Sequence, residues 1–200
     1  MGMPAARAAL GFKLHTGWAA VVVATRPRNY LEILLRKRIE LLPPDGRIPR
    51  FVYHQAAELP LAEAKRLLKR TDQAVRTEAA AALARLLEEL RAKGVAVEVA
   101  GVATGSKSPP SDLAAILAAH TLIHTAEGVF FQEAIVGACA AHGLRVTRVR
   151  ERDLWQTLGD DVLKEVDSLR GLIGPPWGSD QKVATGAALV ALGLVHTQKA

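Results

Sequence analysis

One cysteine in 200 residues, Cys139, cannot form an intrachain disulfide, which suits a reducing cytoplasm as the expected location. Aromatic residues make up only 4% of the chain, so any core must be assembled from Ala, Leu and Val. Long apolar runs are missing too. The longest, such as "AALVALGLV", are too short and too Ala-rich to span a bilayer, and no membrane partner is expected. Residues 1 to 10 hold one arginine and no extended apolar stretch, so they are read as a flexible leader and not as a signal peptide. No internal repeat, Walker motif, G-x-G-x-x-G run or Ser-His-Asp order stands out.

What the chain does have is apolar mass and positive charge. Half of its residues are hydrophobic, and a mean hydropathy of +0.13 allows a sizeable buried core. Formal net charge is +6, and the isoelectric point is about 9.8. Basic residues gather at Arg36 to Arg38, at Lys65 to Arg70 and at Arg145 to Arg152. Such clusters attract nucleic acid or simply form a solvated face, and composition does not separate the two.

The pattern along the chain predicts one α/β domain over residues 11–200. "GFKLHTGWAAVVVA" (11 to 24) opens with a glycine and a short polar turn, and then runs into a buried strand beginning at Gly17, near the sheet centre. Residues 31 to 42 partly alternate and pair back on that strand as an antiparallel hairpin. The loop from 43 to 60 leaves room for a short third strand. From Leu61 to Arg91 the spacing turns helical, with Leu61, Ala64, Leu68, Val75, Ala79, Leu86 and Leu90 on one stripe and a break allowed at Thr71–Asp72. "VAVEVAGVATG" (95 to 105) reads as a strand with Glu98 in its middle. Helices follow from Asp112 and from a cap at Thr125, then a strand from 144 to 153. A polar insertion precedes a last helix capped by Ser179 or Asp180.

These pieces together resemble the ribonuclease H-like superfamily, nearest to its Holliday-junction resolvase branch. "GFKLHTGWAAVVVA" is similar to the opening strand of that branch, and "VAVEVAGVA" to its central strand. "AEGVFFQEAIVGACAAHGLRVTRV" resembles its helix–turn–strand passage, and "SDQKVATGAALVAL" its final helix. The resemblance implies a mixed β-sheet covered by helices, antiparallel hairpin first, with a helical C-terminus. It also implies three or four carboxylates converging on one or two magnesium ions that activate water and stabilise a leaving oxygen. Matched position by position, Glu98 falls on the mid-sheet acid and Asp180 on an acid near the start of the last helix. The first-strand acid falls on Lys13, which cannot ligate magnesium, and the second acid of the last helix falls on Val183 or Ala184.

Three readings follow. In the first, Lys13 replaces the metal charge and pairs with Glu98 or Asp180. The site is then degenerate, needs no cofactor and binds a partner, with nucleic acid the candidate. In the second, Asp160, Asp161 or Asp167 folds back to rebuild a magnesium- or manganese-dependent nuclease. In the third, the turn "GVATGSKS" (101 to 108) offers backbone amides and Lys107 to a nucleotide or another anion. A homodimer through the long helix follows from the resemblance, since resolvases act as dimers. Lys13 pointing to solvent, one register away, is the bland alternative.

Separately, His120, His124 and Glu127 share one helical face at spacings of four and three, residue types that suit zinc or another transition ion. Histidines at helix ends also serve as ordinary caps. Trp177 in "GPPWG" either stacks a base or sugar or packs its own loop. Cys139 is expected to be packed and not reactive.

Overall fold

The computed structural model describes residues 7–27 and 30–194. Five strands, β1 (Ala8–His15), β2 (Trp18–Thr25), β3 (Glu32–Glu40), β4 (Val97–Thr104) and β5 (Arg145–Arg150), form one sheet in the order β3-β2-β1-β4-β5. β1 pairs antiparallel with β2, and β2 with β3. β4 runs parallel to β1, and β5 parallel to β4. This is the mixed sheet expected of a ribonuclease H-like domain, with the hairpin of residues 17–24 and 31–42 present as β2 and β3.

The opening stretch differs from its sequence reading. Residues 11 to 15 are not a polar turn but the second half of β1, and β1, not the strand after Gly17, is the central one. Thr16 and Gly17 alone make the β1–β2 turn, and Gly17 has φ +83°, a value that glycine adopts without strain. The leader also ends earlier than residue 10, because Ala8, Ala9 and Leu10 are buried in β1. The expected leader over residues 1–6 lies outside the described residues, as do residues 28–29 and 195–200.

Among the described residues, eight α-helices cover the two faces. On one lie α1 (Val52–Ala57), α2 (Leu61–Ala92), α3 (Leu113–Leu117) and α4 (His120–Ala141). The short strand allowed between 43 and 60 is therefore the helix α1. Leu10, Phe12, Val21, Val23, Ala100 and Val102 point into this layer and meet Val75, Leu83, Leu86, Phe131 and Ile135. α2 is unbroken. Thr71 is fully buried in it, and Asp72 accepts from Arg76 one turn on, so the polar pair sits inside a continuous helix. Its buried stripe runs through Ala64, Leu67, Val75, Ala79, Leu83, Leu86 and Leu90, whereas Leu61 is exposed. That stripe faces the body of the domain, where α4 packs on α2. α4 starts at His120 without a break at Thr125, whose hydroxyl donates within the helix to the carbonyl of Thr121.

On the other face lie α5 (Leu154–Leu158), α6 (Asp160–Ser168), α7 (Arg170–Ile173) and α8 (Ser179–Ala191). Two glycines let α8 lie against the sheet. A Cβ on Gly11 of β1 would stand 1.8 Å from the carbonyl oxygen of Ala184, and one on Gly101 of β4 would stand 1.8 Å from that of Ala187. Period-two alternation then presents Gly11, Lys13 and His15 of β1 to this layer. The loop ahead of α8 is held by Arg36 of β3, which donates to the carbonyls of Ile173, Gly174, Pro175 and Pro176. Trp177 packs this loop, buried, with its indole N–H on the carbonyl of Val166. Among the described residues no helix is long and apolar enough to cross a membrane.

Candidate functional site

The ends of β1 and β5, the start of β2 and the first turn of α8 meet at one edge of the sheet. Lys13 projects from β1 beneath α8 and forms an ion pair with Glu151, the first residue after β5. The two side chains are 20% and 40% exposed, so the pair is partly screened, and its net worth is at most about 1 kcal/mol. Its weight is therefore electrostatic placement more than stability. Two residues on, His15 Nε2 lies 2.9 Å from Asp180 Oδ1. Asp180 belongs to the first turn of α8, where the helix dipole favours a carboxylate. The N-cap is Gly178, one residue before the expected Ser179, and its N–H is met by Gln181 Oε1 at 2.9 Å. The His15 ring stacks on Trp18 with centroids 4.1 Å apart. The guanidinium of Arg38 lies 4.2 Å from the centre of that indole, and Arg38 also bonds Glu40.

Glu98 is not part of this edge. β1 and β4 run in register with Ala8 opposite Val97 and Lys13 opposite Ala103, so Glu98 sits at the far end of β4. At about 3.3 Å per residue, five residues separate it from Ala103 by about 16 Å. Its carboxylate is exposed, 3.8 Å from Arg7. β4 begins at Val97, so Glu98 is its second residue and not its middle. Lys13 and Asp180 do come to the same edge, but each takes another partner. Glu151 and His15 are the residues that sequence matching overlooked. The alternation of β1 would have flagged His15, whereas Glu151 is delivered by the end of β5, to which no local pattern points.

The acids that were to rebuild the site point elsewhere. Asp161 is fully exposed beside Lys164 at 3.4 Å, and Asp167 pairs with Lys182 at 2.8 Å. Asp160 is exposed at the start of α6. The donor set at the edge is thus one ammonium, one imidazole and two carboxylates, each carboxylate already engaged. Magnesium takes converging hard oxygen ligands, and this set does not fit it.

The stretch 101–108 is not all turn, because residues 101–104 are the end of β4 and Gly101 there admits α8. Gly105 and Lys107 lie on an exposed loop beside His124 and Gly128 at the start of α4. Cys139 is buried, and burial pushes its thiol up to about 12, which leaves it unreactive.

The histidines form a different centre from the one expected. His120 and His124 are adjacent on α4, with ring centroids 4.5 Å apart. The third member is His54 of α1, whose ring lies 4.7 Å from that of His124. Glu127 is not beside them as an open ligand. It is buried at 3% exposure and accepts from the backbone N–H of Val52 at 2.8 Å and of Tyr53 at 3.0 Å. Its carboxylate also lies 3.2 Å from His54 Nδ1. Glu127 is the missing N-cap of α1, supplied from another helix.

No protein-family model and no curated protein sequence matches the chain. Among solved structures it is similar to RuvC of Thermus thermophilus in complex with a Holliday-junction substrate, at 16% identity and a TM-score of 0.49, covering 94% of this chain and 98% of that one. A second Thermus thermophilus RuvC structure gives 14% identity and a TM-score of 0.48 over the same shares. Its own strand order and strand directions, with a helix laid across β1 and β4, give the chain a mixed α/β fold of the ribonuclease H-like arrangement.

Proposed function

We propose that this protein is a ribonuclease H-like domain with a degenerate metal site, binding nucleic acid through the edge at the carboxyl ends of β1 and β4. The observation that carries the reading is Lys13. A cation stands on the central strand and neutralises Glu151, while the other carboxylate of the edge, Asp180, is taken by His15. Charge that a metal would bring is thus already present on the protein. The net charge of +6 supports a polyanionic partner, for which phosphate neutralisation dominates affinity.

Titration against labelled duplex and four-way-junction DNA, with and without manganese, tests the proposal when the same samples are run on a denaturing gel. The expected result is binding that weakens steeply with salt and leaves the strands intact. Metal-dependent cleavage that is lost in Asp180→Ala and Glu151→Ala would overturn the degenerate reading. Absence of binding at low salt would overturn the nucleic-acid part of it.

A further inference from the structure

Three of the chain's six histidines meet at one point of the surface, remote in sequence and brought together by the docking of α1 on α4. We propose that His54, His120 and His124 form a binding site for zinc or a similar borderline transition ion, with Glu127 as the positioning residue. The ligand nitrogens of the three rings all lie within 4.8 Å of one another. Zinc–nitrogen bonds of about 2.0–2.1 Å put the nitrogens of a tetrahedral site about 3.4 Å apart. Closing the site therefore takes about an ångström of ring movement. His120 and His124 are exposed and His54 is half-buried, so side-chain rotation supplies that movement without shifting the backbone.

The chemistry is consistent at each level. Imidazole is the nitrogen ligand that zinc, copper and nickel prefer, and magnesium does not compete for it. His120 and His124 stand at i and i+4, one above the other on α4. The carboxylate of Glu127 takes the Nδ1–H of His54, which leaves Nε2 with its lone pair free for the ion. A buried carboxylate behind a ligating histidine is the usual device for fixing its tautomer and ring plane. Glu127 is itself held by two backbone N–H groups, so its place does not depend on the ion. Three protein ligands leave the fourth position to water, on a side open to solvent. The site is independent of the Lys13 edge and stands or falls separately from it.

The test uses the full chain, purified without a histidine tag and stripped with EDTA. It is titrated with zinc by calorimetry and with cobalt(II) by visible absorption. The expected result is one ion per chain, a tetrahedral cobalt band, and a rise in melting temperature with zinc but not with magnesium. His120→Ala and His124→Ala should each lower affinity at least about 10-fold while leaving the metal-free melting temperature unchanged, because both rings are exposed. Glu127→Gln should weaken binding about 10- to 100-fold yet keep the tetrahedral cobalt band. A purely structural role for Glu127 predicts lower metal-free stability with unchanged affinity in whatever fraction folds. Failure of the wild-type chain to bind zinc with defined stoichiometry, or full affinity in the two alanine variants, would overturn the site.

Discussion

At the scale of single residues, Lys13 decides how the edge is read. Its neighbours on the same strand face are Gly11, which admits α8, and His15, which holds the first turn of α8 through Asp180. Lys13→Asp would set two carboxylates side by side where there is now an ion pair. Loss of the pair costs about 1 kcal/mol, and repulsion from Glu151 adds to that. A divalent cation with a preference for oxygen relieves such repulsion, and since it binds only the folded state it raises stability. The variant is therefore expected to melt lower than wild type in EDTA and to recover with magnesium. Wild type should ignore magnesium at the same concentrations. Thermal melts of the two proteins with and without the ion check this, and no magnesium response in the variant would remove Lys13 from the position of a lost metal ligand.

At the scale of elements, α8 is the part that the site depends on most. It reaches the sheet only because Gly11 and Gly101 leave its backbone room, and the atoms opposing them are carbonyl oxygens that no rotamer change can move. Gly101→Ala is thus expected to push α8 off β4, at a cost of about 1–3 kcal/mol or more. For a domain of this size that lowers the melting temperature by about 2–12 °C. Gly105→Ala, where nothing lies within 4 Å of the new methyl, should be close to neutral. Scanning calorimetry of the two variants separates close approach from general glycine loss. Element boundaries show how tertiary packing overrides local reading. Polarity allows a break at Thr71–Asp72, yet Thr71 is fully buried and α2 runs unbroken through it. The helix start at Thr125 failed likewise, because His120 to Ala126 continue the same helix.

At the scale of the whole molecule, ion pairs tie the helical layer to the sheet. Glu89 of α2 is held by Lys37 of β3 and by Lys93, hydrogen bonds that lower its carboxyl to about 2. Glu133 of α4 is likewise lowered by its bond to Arg148 of β5. A carboxyl depressed in the folded state contributes stability above its ordinary value, near 4.5, and loses it as pH falls toward the folded value. Melting temperature is expected to hold from pH 7 to about 5 and to decline from there toward about 2. Lys37→Met should flatten the acid limb, as should added salt, because the Lys37–Glu89 pair is 40% and 33% exposed and so within reach of screening ions. A pH titration of melting temperature on wild type and variant is the measurement.

The sequence alone was enough for the class of the fold. The continuous apolar run at 17–24, the partly alternating run at 31–42, the helical stripe from Ala64 to Leu90 and the strand before Gly105 are local signals, each set by where apolar side chains must go. Helical spacing marked His120 and His124, and the resemblance to the ribonuclease H-like superfamily marked Lys13 and Asp180. They could not show which of these meet, because that depends on register and docking between segments far apart in the chain. β1 proved to be the central strand, which turned Lys13 and His15 toward α8 and put Glu98 at the opposite end of β4. α1, a helix of six residues too short to read from periodicity, carried His54 to the other two histidines and drew Glu127 inward as its cap. Local periodicity reports which face of an element is buried. Only the assembled sheet, with glycines that let one helix lie close and a carboxylate that pins another, decides which side chains share a site.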